Sequence, residues 1–478
     1  MIDTRAANFR GTEARPGRRL RPSIVLMVLL VAIILGLGGT TSRAQERNLA
    51  ISIEDAYRMA LQSHELILIS EKEVDKSKLG TKKALAMMLP HADLTGGYQM
   101  VNKPINNSSL LGNVIILPKD QTLGDIKVKN SIYNPNYFPA RRQANETINK
   151  TTNNCYQTVQ DILLQVGMQY YQVLRGIELV QNAKGLIKTA QEEVRESKVK
   201  YASGAVTEDV LLRALMDQAM AENKLIEGTN QLRLAKDNLR NLIALKTAQY
   251  EVIKPAQSAE PNQSYETLLS TAYEHRFDHK MSLSDVELAK TAVEAVKAKY
   301  HPSVDASWEY YAANHPRFDQ ESNNWAAIVS VTLPVLEGGL RVWELKEAKE
   351  TLEQAKLALS DKRRNIRMEV ENAMLMVQTN KSLLVKIQSQ VNLAQKNYEI
   401  VFSRFKHGAA TMMDVSQAFS AMDTAKTDLI NKNYEYQTSL LNLQKAEGIF
   451  VLEYIGKSRL PGGTSAPAMN NKVAPGLK

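Results

Sequence analysis

The chain has 478 residues, with 60 Lys and Arg against 51 Asp and Glu for a formal net charge of +9, and one cysteine. That lone Cys155 excludes an intramolecular disulfide and a cysteine-based metal cluster, and the sparse aromatics do not interleave with a basic patch of the kind nucleic acid needs. The excess charge sits largely in residues 1–44, where seven Arg face only Asp3 and Glu13; without them +9 falls by five to +4.

Residues 1–44 read as a secretory signal peptide. A basic leader (Arg5, Arg10, Arg15, Arg18, Arg19, Arg21) precedes the apolar run "SIVLMVLLVAIILGLG", and "SRA" at 42–44 fits a small-x-Ala cleavage site. The run is shorter than the roughly 20 residues of a bilayer span, which favours cleavage over the rival reading, an uncleaved anchor helix. Residue 45 is Gln, so the usual lipoprotein cysteine is missing. No later apolar run reaches spanning length, so any membrane crossing must be made by strands.

A helix is expected over about 63–89, ended by Pro90. A strand pair follows over about 92–134. Ala92, Leu94, Tyr98 and Met100 alternate on one face, and Ile126, Val128 and Ile132 alternate with Lys127, Lys129 and Ser131. A long helical seam then runs through Val166, Val173, Val180, Ala183, Ile187, Ala190, Val194 and Tyr201 to the break "KYASGAVT" at 200–207.

The same series returns. A helix over about 276–301 ends at Pro302, and "VDASWEY" alternates Val304, Ala306, Trp308 and Tyr310 with Asp305, Ser307 and Glu309. In "WAAIVSVTL", Trp325, Ala327, Val329, Val331 and Leu333 share a face. From 340 to 407 the helical pattern is unbroken. Its apolar positions 370, 373, 377, 384, 387, 391, 394, 398, 401 and 405, with Asn380 the polar member, step by threes and fours as in a coiled coil. At 1.5 Å per residue that helix is about 100 Å long. The break "RFKHGAAT" at 404–411 ends it, and another helix runs to about 450. The helices at 412–450 and 276–301 together nearly equal the long one, so they can lie end to end beside it. The strands then collect at one end and the Gly–x–x–Thr turns at the other.

The halves align residue by residue. At an offset of 212, Ala60, Pro90, Asp93 and Tyr98 match Ala272, Pro302, Asp305 and Tyr310. At an offset of 204, Tyr201, Gly204 and Thr207 match Phe405, Gly408 and Thr411, and Ala214, Ala221 and Leu239 match Ala418, Ala425 and Leu443. The domain reading is therefore two repeats, 45–250 and 251–455, with hairpins at about 92–134 and 303–334, turns at about 203–208 and 407–412, and a disordered tail at 456–478.

Four strands cannot close a transmembrane barrel, which needs about eight, and open edges are not tolerated in lipid. Chains must pool strands: two give eight and three give twelve. The apolar faces then meet lipid, and Lys127, Lys129, Asp305, Ser307 and Glu309 face the lumen. Trp308, Trp325 and Tyr310 fit either an aromatic girdle or ordinary strand packing.

The duplicated order helix–hairpin–long helix–Gly–x–x–Thr–helix resembles the outer-membrane efflux protein family, the TolC-like export ducts. "SIEDAYRMAL" (52–61), "LPVLEGGLR" (333–341) and "FKHGAATMMDV" (405–415) resemble its first helix, its strand-to-helix junction and its periplasmic tip. The resemblance implies a mainly α chain with β: a long α-helical barrel continued by a transmembrane β-barrel of twelve strands in a homotrimer. It implies a passive duct in the outer membrane that opens at its helical tips. A periplasmic adaptor and an inner-membrane pump would be its partners, and no cofactor, metal or nucleic acid is called for. Tyr201, Gly204 and Thr207 match the first tip, and Phe405, Gly408, Thr411 and Asp414 the second. Asp414 would form a carboxylate ring in the trimer or simply stabilise a helix N-terminus. The chain departs from the family pattern at Phe405 (often Tyr), Ala410 (often basic) and Gln417 (a second acidic ring position).

Other classes fare worse. "HRFDH" holds His275 and His279 at i, i+4 but lacks a metalloprotease glutamate, and two surface histidines are expected. "SGAVT" lacks the GK[ST] of a phosphate loop. The remaining rival is a periplasmic coiled-coil adaptor or scaffold without a pore, which needs no apolar outward strand face.

Overall fold

The computed structural model describes residues 49–109, 112–247, 249–255, 263–314 and 321–451; the expected leader and tail lie outside the described residues. β1 (Leu49–Ile51) leads into α1 (Ile53–Ser63) and α2 (Glu65–Ala86). Ser52 starts α1 with a capping box: its Oγ accepts from the Asp55 N–H at 3.1 Å while the Asp55 carboxylate accepts from the Ser52 N–H. β2 (His91–Met100), β3 (Ile105–Ser109), β4 (Gly112–Leu117) and β5 (Asp120–Tyr133) precede α3 (Tyr137–Ala202) and α4 (Glu208–Leu242). After β6 (Tyr250–Val252) come α5 (Tyr265–His275), α6 (Phe277–Ala298), β7 (Ser303–Ala313), β8 (Asn323–Thr332), α7 (Leu340–Lys406) and α8 (Met412–Glu447). α3 has 66 residues and α7 has 67, about 100 Å each at the α-helical rise. Among the described residues, no helix is both long and apolar enough to cross a membrane.

Four strands form one antiparallel sheet in the order β2-β5-β7-β8. Directly opposed residues share a face, and the register sorts most side chains by polarity, with Ile328 and Ala326 the apolar exceptions opposite Ser307 and Glu309 on the polar face. Leu94, Ile126, Tyr310 and Trp325 form one row, and Ala92, Val128, Trp308 and Ala327 the next. On the other face, Asp93, Lys127 and Glu309 make a row, beside His91, Lys129 and Ser307. The outer strands β2 and β8 are exposed almost throughout. Two details depart from the sequence reading. The register shifts between Ser131 and Tyr133, so Tyr133, not Ile132, opposes Val304; an extra residue in one strand turns the faces over. The stretch 92–134, expected as one strand pair, also holds the β3–β4 hairpin between β2 and β5.

The helices pack as the seam requires. α7 lies against α6 and α8, while α3 lies against α2, α4, α6 and α8. Every seam position of α7 from 370 to 405 is buried or half-buried. Ala214, Ala221 and Leu239 are buried, and so are Ala418, Ala425 and Leu443. The Tyr170 hydroxyl reaches the carbonyls of Ile51 and Ile253, tying α3 to the chain segments beside β6. His279 is buried, contrary to the surface position expected for it. Arg276 is extended between α5 and α6 (φ −62°, ψ 127°), which breaks the single helical face that would carry both histidines. His279 turns inward, with Nδ1 2.8 Å from the Tyr273 carbonyl and Nε2 accepting from Arg363 Nε at 3.2 Å.

Candidate gate at the paired helical turns

The two breaks close by the same backbone geometry. Gly204 and Gly408 have φ of +74° and +76°, the left-handed region that glycine enters without strain. The Ala205 N–H donates to the Lys200 carbonyl at 2.9 Å, and the Ala409 N–H to the Arg404 carbonyl at 2.8 Å. This six-to-one closure ends a helix and reverses the chain. The second turn then starts α8 with a capping box. Thr411 Oγ1 accepts from the Asp414 N–H at 3.3 Å, while the Asp414 carboxylate accepts from the Thr411 N–H at 2.9 Å and from the Thr411 hydroxyl at 2.7 Å. Those hydrogen bonds hold the Asp414 carboxyl below the usual carboxylate range. Thr207 occupies the matching position before α4 but makes no side-chain cap. The residue three positions on is Val210, which has no acceptor to complete a box.

The aromatic pair is unequal in more than its hydroxyl. Phe405 is 3% exposed, packed with Met412, Val415 and Tyr398, whereas Tyr201 is 43% exposed. At the offset of 204, Met412 and Phe419 correspond to Glu208 and Leu215, so the first turn has no buried methionine to receive its ring. The turns are nevertheless joined. Lys200 Nζ donates to the Lys406 carbonyl at 2.9 Å and stands 5.5 Å over the Phe405 ring. Gln417 is exposed on the first turns of α8.

Behind the turns, two more contacts link the halves. Tyr398 on α7 donates to Glu193 Oε1 on α3 at 2.7 Å, and Lys224 on α4 pairs with Asp423 on α8. Glu193 is fully buried, its Oε2 has no hydrogen-bond partner, and burial pushes its carboxyl up to about 7. Sequence reading placed Tyr398 in a seam but missed Glu193. The available signal was an acid within the row Leu186, Ala190, Glu193, Ser197, whose threefold and fourfold steps mark a second buried stripe on α3. At the other end of α7, the strand residues singled out from sequence come together. Lys127 and Glu309 form an ion pair at 2.9 Å, with Lys129 opposite Ser307 and Ser131 opposite Asp305.

Residues 268–448 match the family model for the outer membrane efflux protein. The match lies within the second half of the chain, and it is a likeness to that family. Most of the chain is similar to outer membrane protein TolC of Vibrio cholerae serotype O1, at 21% identity over 88% of this chain and 95% of that one. Solved outer-membrane protein structures share its fold. The outer membrane protein VceC of V. cholerae does so with a TM-score of 0.69 at 17% identity, over 83% of this chain and 96% of VceC. The CmeC outer membrane channel of Campylobacter jejuni gives 0.68 at 16%, over 83% and 86%.

Proposed function

We propose that this chain is the outer-membrane exit duct of an efflux system, a passive conduit gated at its paired helical turns. The observation that carries this reading is the sheet. Leu94, Trp325, Val329 and Val331 are exposed on one face while Lys127, Glu309 and Asp93 share the other, and the outer strands pair with no further strand among the described residues. Such a sheet is unstable in water and in lipid until its edges are paired. Three chains would supply twelve strands, with Lys127, Lys129, Asp305, Ser307 and Glu309 lining the lumen. The long helices of two repeats, 45–250 and 251–455, would continue the wall into the periplasm. There the turns would meet an adaptor joined to an inner-membrane pump. The exposed apolar face speaks against a pore-free periplasmic scaffold, and the names of the relatives speak for the outer membrane.

In this reading, Tyr201, Gly204 and Thr207 with Phe405, Gly408, Thr411, Asp414 and Gln417 surround the periplasmic mouth. The closed state is held by the links Glu193–Tyr398, Lys200–Lys406 and Lys224–Asp423. Reconstitution into a planar bilayer tests the duct: stepwise ion conductance is expected, with heat-modifiable mobility of an outer-membrane fraction. A protein that is water-soluble without detergent and gives no conductance defeats the reading. A narrower test addresses the mouth. Asp414 is held ionised, so its repetition in a trimer favours cations there. Asp414→Asn is expected to lower cation selectivity in single-channel reversal potentials; unchanged selectivity leaves Asp414 a capping residue alone.

A further inference from the structure

A cleft of about 710 Å³ opens between α4 and α8, a few turns behind the paired breaks. That volume is in the range of small-molecule sites. Met216, Met220, Met413 and Phe419 supply an apolar wall, and the three methionines are more than half exposed. Thioether chains of this kind adapt to flat aromatic bodies. Two polar groups in the same cleft are unsatisfied. Asp217 is 8% exposed and its buried Oδ2 has no hydrogen-bond partner. Arg213 lies four residues earlier, on the same face of α4, and its buried Nε has none either. The other two charges in the lining, Lys224 and Asp423, satisfy each other. One free acceptor and one free donor therefore remain beside an apolar wall.

We propose that this cleft binds an aromatic zwitterion, whose ammonium donates to Asp217 Oδ2, whose carboxylate accepts from Arg213 Nε, and whose ring lies on the methionines and Phe419. A singly charged ligand satisfies one orphan and desolvates the other. A second group points the same way. Glu193, on α3, is near enough for Asp217 to disfavour its charged form, so an ammonium at Asp217 relieves a repulsion between buried acids. Bound there, the ligand bridges α4 of the first half and α8 of the second. The inference stands apart from the duct reading, because binding is measured without transport.

The test uses three dansyl probes on the full chain in lipid nanodiscs, with empty nanodiscs subtracted. Nε-dansyl-lysine carries an ammonium and a carboxylate, dansylcadaverine an ammonium only, and dansyl-aminohexanoate a carboxylate only. Saturable, blue-shifted fluorescence is expected with the zwitterion at least tenfold tighter than either other probe. Asp217→Asn should weaken dansyl-lysine about tenfold and leave dansyl-aminohexanoate unchanged. Arg213→Gln should weaken dansyl-lysine equally and leave dansylcadaverine unchanged. Met220→Ala, at an exposed position, should weaken all three several-fold. The proposal is overturned by the absence of saturable signal over empty nanodiscs, by equal affinity of the three probes, or by Asp217→Asn and Met220→Ala proteins of native melting that keep full affinity.

Discussion

Gly448→Ala is expected to destabilise the protein by about 2–5 kcal/mol, far more than the same change at Gly408. Both glycines have φ of +76°. That conformation alone costs an alanine about 1–2 kcal/mol. The surroundings differ. A Cβ at Gly408 meets nothing within 4 Å, whereas at Gly448 it falls 2.7 Å from the Arg276 backbone nitrogen and 2.9 Å from the His275 carbonyl carbon. Backbone atoms cannot swing aside, and overpacking adds about 1–3 kcal/mol. The displaced segment joins α5 to α6 and touches α7 and α8. Arg276 is buried and reaches both oxygens of Asp278 at 3.0 and 2.8 Å, Glu369 of α7, and the Ala446 carbonyl at the end of α8. Thermal melts followed by circular dichroism, with both variants in one detergent, check this. Equal drops in midpoint would show that the close approach at Arg276 contributes nothing.

Glu193→Gln is expected to remove much of the pH dependence of stability between pH 5 and 8. In the folded chain the Glu193 carboxyl is pushed by burial from the ordinary 4.5 to about 7. Below about pH 4.5 it is protonated folded or unfolded, and its burial carries no charge penalty. As pH rises from there to about 7, the unfolded chain releases the proton while the folded chain retains it. Stability is therefore lost across that window, by about 3 kcal/mol in full. Glu447 is also pushed up by burial to about 7 and acts in the same direction, so the variant keeps part of the slope. The glutamine carbonyl can still accept from Tyr398, which leaves the link between α3 and α7 in place. Melting midpoints at pH 5 and pH 8 decide the matter. A variant whose midpoint difference equals that of the parent chain would place the titrating group elsewhere. In the duct reading the same titration loosens the closed state at alkaline pH, since Glu193 spans the two halves.

The sequence by itself determined what depends on near neighbours. The threes and fours of the α7 seam, the alternation of Lys127 and Lys129 with Ile126 and Val128, and the glycines at 204 and 408 were legible. Helix and strand periods and the left-handed turn are set within a few residues. The likeness of Ala214 to Ala418 and of Leu239 to Leu443 was legible too, and each pair is buried in both halves. Only the tertiary structure decided which faces meet. Glu193 and Tyr398 are 205 positions apart, and nothing local marks them as partners. The exposure of Tyr201, the inward turn of His279 at the extended Arg276 and the bulge before Tyr133 belong to the same class. So does the orphaned pair at Asp217 and Arg213. Burial and hydrogen-bond satisfaction are properties of packing between distant segments, and a periodic pattern specifies that a face is covered without specifying by what.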